Sequence, residues 1–240
     1  MQFHVFGDKE KPTLLIMHGM MNDWKIFYEK TKSLTHSFYL IYPAMDGFYD
    51  GSGDFTSFTD QCRQIEKYVK KHFDGKLDMV YGLSQGATLM DELLTRNHIT
   101  IRAAILDGLY VARQGSLAGS ITVNQLLKMQ KNGGKLTWSV RKVIMPLMGM
   151  TKKHMASFHC IYWGFSKTSA VRNAHEQYTY SQSPAIAETK AKIYLLCGSK
   201  EPYALKSHKI IKQYIRNYEE PDSAKLSPPG TVQNSVIWYN

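Results

Sequence analysis

"YGLSQGATL", Tyr81 to Leu89, decides how the chain is read. A serine stands between two glycines, after a short apolar run and ahead of a segment with helical spacing. Gly82-Leu83-Ser84-Gln85-Gly86 fits G-x-S-x-G, a sharp turn that exposes a nucleophilic serine where a strand passes into a helix. The glycines permit a turn that a Cβ would obstruct, and the helix N-terminus beyond them favours negative charge. The pentapeptide alone also arises by chance, as a serine in an ordinary tight turn. In this strand–turn–helix setting, Ser84 is the expected nucleophile.

A serine hydroxyl needs a base to take its proton, an acid to orient that base, and donors to hold the developing oxyanion. Gln85 N–H follows the serine and is one expected donor. The second is expected from the loop after "LLIMHG", at Met20 N–H. His18 and Gly19 shape that loop, Gly82 and Gly86 support the elbow, and His18 is not assigned as the base.

Outward from the elbow, apolar runs at Thr13–Met17, Ser37–Tyr42, Leu77–Tyr81, Ala103–Leu106 and Ile193–Cys197 read as buried strands, the second stopped by Pro43. Asn22 or Asp23 can cap a helix through Trp24, Phe27 and Tyr28. Phe58, Cys62, Ile65, Val69 and Phe73 mark one face of a helix, with Ser57 and Asp60 at capping-box spacing. Leu89, Met90, Leu93 and Leu94 mark a helix that fades at Asn97. A last helix is expected from about Tyr203 to Tyr218. Alternating strands and helices predict an α/β protein with a mostly parallel central sheet flanked by helices.

The alternation breaks once, between Leu109 and Pro184, where "ITVNQLLKMQK", "LTWSVRKVIM" and "SKTSAVRNAHEQY" look helical. The stretch is too long for a loop in a compact domain. The expected organisation is a core of residues 1–108 and 185–218, an inserted helical cap of residues 109–184, and an atypical tail of residues 219–240. The cap is rich in Met and aromatic residues, which suits both a small helical core and the lining of an apolar pocket.

Composition narrows the classes. The chain has 240 residues, 43% of them hydrophobic, enough for one sizeable core. Its formal charge is +10, with basic clusters such as "KYVKKH" and "SHKIIKQ" that read as solvated helix faces. No nucleic-acid module is visible, and weak attraction to anionic surfaces remains open. Cys62, Cys160 and Cys197 are scattered, without zinc-ligand or disulfide spacing. The N-terminus lacks the pattern of a secretion signal, and no stretch approaches the roughly 20 apolar residues of a membrane span. The expected setting is cytoplasmic, with no metal, no cofactor, and no specific nucleic-acid partner.

The order LLIMHG, a D-G-rich loop, GLSQG, ILDG, a helical stretch and LLCGSKEP resembles the α/β-hydrolase family over roughly residues 1–218. The resemblance implies an α/β-hydrolase fold and a serine hydrolase or esterase. It also implies an acid a few residues past the strand that follows the cap, which here is Glu201 in "CGSKEPY"; Asp107 is the alternative. The family's base is a histidine in a C-terminal G-x-G-H-like loop, and no histidine follows His208. His208 is read as a solvated helix residue, and His154, His159 and His175 fall in the cap. No base is assigned. A tail that is truncated, frameshifted or genuinely divergent would each account for this.

The expected function is cleavage of an ester or other acyl bond of a small, partly apolar substrate through an acyl-Ser84 intermediate. The alternative is a catalytically impaired or non-catalytic relative that binds a small ligand.

Overall fold

Leu14 to Met17 are buried on both faces of their strand, and the architecture follows from that. Leu15 and Met17 enter one apolar cluster, Leu14 and Ile16 the other. A strand with two buried faces must lie inside a sheet covered on both sides. The computed structural model describes residues 1–144, 161–198 and 201–220.

The sheet contains β1 (Gln2–Phe6), β2 (Thr13–Met17), β3 (Tyr39–Ala44), β4 (Lys76–Leu83), β5 (Thr100–Asp107), β6 (Lys192–Leu196) and β7 (Tyr218–Glu219). Their order is β1-β3-β2-β4-β5-β6-β7. Among these described strands, only the β1–β3 pair is antiparallel. The helices are α1 (Trp24–Thr31), α2 (Phe58–His72), α3 (Gln85–Arg96), α4 (Ser116–Lys131), α5 (Lys167–Thr179) and α6 (Pro202–Ile211). This is the mostly parallel, helix-flanked sheet that the sequence predicts.

Local chemistry sets several boundaries. The Asp23 side chain caps α1 by accepting from Lys25 N–H, and Ser57 caps α2 by accepting from Asp60 N–H. Asn97 ends α3 in the left-handed conformation, at φ 51°. Gly119 of α4 lets that helix approach α5: a Cβ there would stand 3.4 Å from Ala174 O.

Three expectations need correction. Pro43 does not stop its strand but lies within β3, opposite Phe3 of β1. β2 pairs with β3 only from Tyr39 to Ile41, so on that side the ladder has ended before the missing N–H of proline is needed. The last helix ends at Ile211, because the sheet claims Tyr218 as a partner of Ile193. Ile193 N–H also donates to Asn217 O at 3.0 Å. Finally, β1 is a strand that no apolar run announced. The strand-like Val236–Tyr239 lies outside the described residues.

Between β5 and β6 the described chain is helical at α4, at a short π-helical turn (Val140–Ile144), at α5 and at a 3-10 turn (Pro184–Glu188). Gly119, Val123, Leu126 and Met129 line the buried side of α4, and Ala170 and Ala174 that of α5. Met145 to Cys160 lie outside the described residues.

One buried acid has a consequence for stability. Asp91 of α3 is fully buried and accepts from Tyr180 Oη at 2.8 Å. Its Oδ1 and the Oε1 of Gln182 are both buried without a partner. Burial is the largest cause pushing this carboxyl up to about 7, and neighbouring Glu92 pushes the same way. The folded state therefore holds the proton after the unfolded chain has lost it. The stabilising contribution is complete below the ordinary carboxylate range and fades as pH rises to about 7. We expect Asp91→Asn, which keeps the shape and removes the ionisable group, to flatten the stability profile over that window. At pH 8 the variant should exceed the wild type by about 2–4 kcal/mol in urea unfolding. A parallel profile for the two proteins would contradict the assignment.

Candidate active site

Ser84 is the turn between β4 and α3, at φ 54° and ψ −115°. Such a conformation costs on the order of 1–3 kcal/mol in a non-glycine residue and needs support from its surroundings. Ser84 N–H donates to Asp107 O of β5 at 2.7 Å. Ser84 O accepts from Ala87 N–H at 2.9 Å and Thr88 N–H at 3.1 Å. The Thr88 hydroxyl donates to Tyr110 O at 3.1 Å, fastening the first turn of α3 to the loop after β5.

The two motif glycines have separate steric reasons. A Cβ on Gly82 would stand 2.4 Å from Gly86 O, inside the elbow itself. A Cβ on Gly86 would stand 2.4 Å from Met17 O and 2.5 Å from His18 O, at the end of β2. The elbow thus packs directly on the main chain that leads to the His18-Gly19 loop.

That loop turns by Asn22 N–H donating to Gly19 O at 3.2 Å, with Met21 at φ 56°. His18 is buried, and its Nδ1–H donates to Gly19 O at 2.9 Å. Burial is the largest cause lowering its pKa, so the ring is held neutral. Met20 is half-buried in the loop. The Gln85 amide is the first of α3, where helix geometry leaves N–H groups without an intrahelical partner.

The side chain of Gln85 carries a contact that the sequence did not announce. Its Nε2 donates to Asn173 Oδ1, and Asn173 Nδ2 donates back to Gln85 Oε1, each at 3.0 Å. Both residues are fully buried. Ser169, Asn173 and Gln177, four residues apart, form a polar stripe on the buried side of α5. Gln177 Nε2 donates to Thr88 Oγ1 at 3.3 Å, and Ser169 Oγ accepts from Phe55 N–H at 3.0 Å. That four-residue recurrence is visible in the sequence and is the signal that could have found the contact. A second strap joins the same regions: Tyr162 N–H donates to Met21 O at 2.7 Å.

Glu201 precedes α6 and is partly buried. A Cβ built on Gly108 would meet Glu201 Oε2 at 3.6 Å and Ser84 Cα at 3.9 Å. Carboxylate and elbow therefore border the same small space, at the C-terminal edge of β4, β5 and β6. Burial raises the Glu201 pKa, opposed by its hydrogen bond with the Gly198 backbone. Tyr110, buried nearby, is raised by burial first and by Glu201 second. The Cys197 thiol is pushed up to about 12, by burial first and Glu201 second, which keeps it protonated. Asp107 is also buried, at the end of β5, and its Oδ2 accepts from Tyr81 Oη at 2.7 Å.

The histidines divide clearly. His208 is buried rather than solvated, which corrects the reading of the sequence. Ala204, Ser207, His208 and Ile211 form the inner stripe of α6, so position 208 is turned inward. Its Nδ1 lies 3.2 Å from Glu220 Oε1 and 3.7 Å from Cys197 Sγ, and burial lowers its pKa. His175 is exposed on α5. His154 and His159 lie outside the described residues. Among the described residues, no hydrogen bond reaches Ser84 Oγ, and no group of His, Cys, Asp and Glu is placed to hold a metal ion. No helix among them is long and apolar enough to cross a membrane.

A cleft of about 690 Å³ opens elsewhere, past the N-terminal ends of β4 and β5, between Lys70, His98 and Lys190. It lies at the opposite edge of the sheet from Ser84, and neither a serine nor a cysteine lines it.

No family model and no curated protein matches the sequence. Solved structures do match. An alpha/beta hydrolase family protein from Desulfitobacterium hafniense is 18% identical, with a TM-score of 0.78 over 91% of this chain and 90% of its own. A structure from work on carboxylesterases of Nitrososphaera gargenis is 15% identical, with a TM-score of 0.72 over 91% and 84%. An esterase from Exiguobacterium antarcticum is 14% identical, with a TM-score of 0.67 over 91% and 84%. Sheet order, elbow and these likenesses agree: the chain is a protein of the α/β-hydrolase fold.

Proposed function

We propose that the chain is a serine hydrolase that cleaves an ester or other acyl bond of a small, partly apolar substrate. The observation that carries this reading is the strained Ser84, held at the sheet edge beside a partly buried carboxylate. Ser84 Oγ attacks the acyl carbon, the leaving group departs with a proton, and water then releases the acyl group from Ser84. The amides of Gln85 and Met20 hold the oxyanion in both steps. Glu201 is the acid that would orient a histidine base, with Asp107 as the alternative. The segment 109–184 acts as a cap over the substrate. The structural neighbours named as esterases support this class of chemistry by analogy of fold.

A second reading has its own observation: among the described residues no histidine bonds to Ser84 Oγ. On that reading the protein binds a small ligand, or turns it over only feebly. Members of a triad act as a unit, so loss of the base costs several orders of magnitude.

Hydrolysis of short p-nitrophenyl esters separates the readings. We expect turnover that depends on Ser84 and exceeds the roughly 10³-fold over water that oxyanion donors and binding supply without a nucleophile. Ser84→Ala should lower the rate to that background, and a rate indifferent to that change would end the proposal. Glu201→Gln should lower kcat by about 10²-fold or more only where a base is present for it to hold. No change would favour the impaired reading. Because burial raises the Glu201 pKa, a Glu201-dependent rate should fall on the acid side at a pH above the ordinary glutamate range. Glu201→Gln should abolish that limb.

The Gln85–Asn173 pair supplies a further expectation. Asn173→Ala strands the buried Gln85 amide and should cost about 1–3 kcal/mol in urea unfolding. The double change Gln85→Met with Asn173→Leu removes both polar groups and should recover much of that loss. A double variant as unstable as the sum of Gln85→Met and Asn173→Leu measured singly would show that the pair is not coupled.

A further inference from the structure

The net charge of +10 is not spread evenly. Basic residues recur along the whole chain, but acidic ones do not. Residues 1–108 carry a net −2, residues 109–184 a net +9, and residues 185–240 a net +3. Between 109 and 184 there are ten Lys and Arg and one acid, Glu176. The Glu176 carboxylate is engaged by Phe58 N–H at 2.8 Å. Every described Lys and Arg of this segment is exposed, and among the described residues none forms an ion pair. Uncompensated charge of one sign repels itself and attracts an opposite surface.

Apolar side chains stand among these cations. Leu117 is 74% exposed, Ile121 48% and Trp138 73%. On α4 the outward positions Leu117, Ile121, Asn124, Lys128 and Lys131 recur at helical spacing, apolar at the start and cationic at the end. The opposite side of the helix is spent on α5. Trp138 belongs to the same region. The hydroxyls of Thr137 and Ser139 both donate to Gln125 Oε1 of α4, at 2.9 and 3.1 Å, and fasten the chain on either side of the indole. Lys135, Arg141 and Lys142 flank it, all exposed.

We propose that this face of the 109–184 segment docks on the surface of an anionic lipid bilayer. Leu117, Ile121 and Trp138 would enter the headgroup region, and the surrounding Lys and Arg would face lipid phosphates and carboxylates. The combination favours this partner over others. Tryptophan is suited to the boundary between water and hydrocarbon, and each basic side chain near an anionic leaflet adds attraction. Exposed aliphatic side chains do nothing for a nucleic-acid backbone, whose single-strand readers stack bases on aromatics. A second copy would set +9 against +9. The proposal does not rest on the reading of Ser84.

Co-sedimentation of the full chain with sucrose-loaded vesicles tests it. We expect binding to vesicles of one part phosphatidylglycerol to two parts phosphatidylcholine, little binding to phosphatidylcholine alone, and release as salt is raised. The triple change Lys128→Gln, Lys135→Gln, Arg141→Gln should weaken binding about 100-fold. Trp138→Ser should weaken it roughly tenfold, the share of an inserted apolar side chain. All four positions are exposed, so the thermal midpoint should stay near that of the wild type. The salt titration of the unaltered protein is decisive even if a variant folds poorly. The proposal is overturned if anionic vesicles are not bound, if neutral vesicles are bound as well, or if Trp138→Ser changes nothing. Equal or tighter binding to duplex RNA, with the same response to all four substitutions, would overturn it in favour of a general polyanion surface.

Discussion

Much of this molecule depends on one close approach of main chain to main chain. Where α3 begins, Gly86 lies against the Met17 and His18 carbonyls, leaving no room for even a methyl group. That contact sets the distance between the elbow and the end of β2. The two proposed oxyanion amides, Gln85 and Met20, lie on its two sides. Ser84 can hold φ 54° because its own N–H and carbonyl are tied to β5 and α3. Strain at one residue is thus over-determined by contacts from three elements.

The same elbow is fastened from the helical segment. Ser169, Asn173 and Gln177 place polar groups, not apolar ones, against the site-bearing part of the core. Hydrogen bonds fix a register that apolar packing alone would leave loose, because a buried amide without its partner is costly. The α5 helix is therefore held in one register against the start of α3. The outward side of the 109–184 segment has a different character, cationic and partly apolar. One segment thus offers a polar inner contact and a cationic, partly apolar outer face.

The sequence reveals these features unequally. Apolar runs bounded by turns located five of the seven strands, since a strand buried on two faces must be continuously apolar. Asp23 and Ser57 were legible as caps because capping is local chemistry. β1 and β7 were not: β1 is an edge strand without a fully buried residue, and β7 is two exposed residues held by β6. Pro43 misled because proline breaks a strand only where the ladder needs its N–H. His208 misled because α6 is short and its inner stripe includes a small polar residue, Ser207, beside the histidine. At the site, Ser84 was legible from an intrinsic steric pattern. Glu201 was reached by family resemblance, because nothing in a loop glutamate announces that it will lie beside the elbow. The Gln85–Asn173 pair spans most of a hundred residues of chain, and only the four-residue stripe on α5 hints at it.

The central claim is that Ser84 is a nucleophile presented by the shape of its turn. Incubation with a fluorophosphonate, followed by peptide mapping in a mass spectrometer, tests it most directly. The account predicts slow formation of a phosphonyl adduct on the peptide containing Ser84, absent after unfolding in urea and absent in Ser84→Ala. An adduct confined to other residues, or none on Ser84 after prolonged exposure of the folded protein, would contradict it.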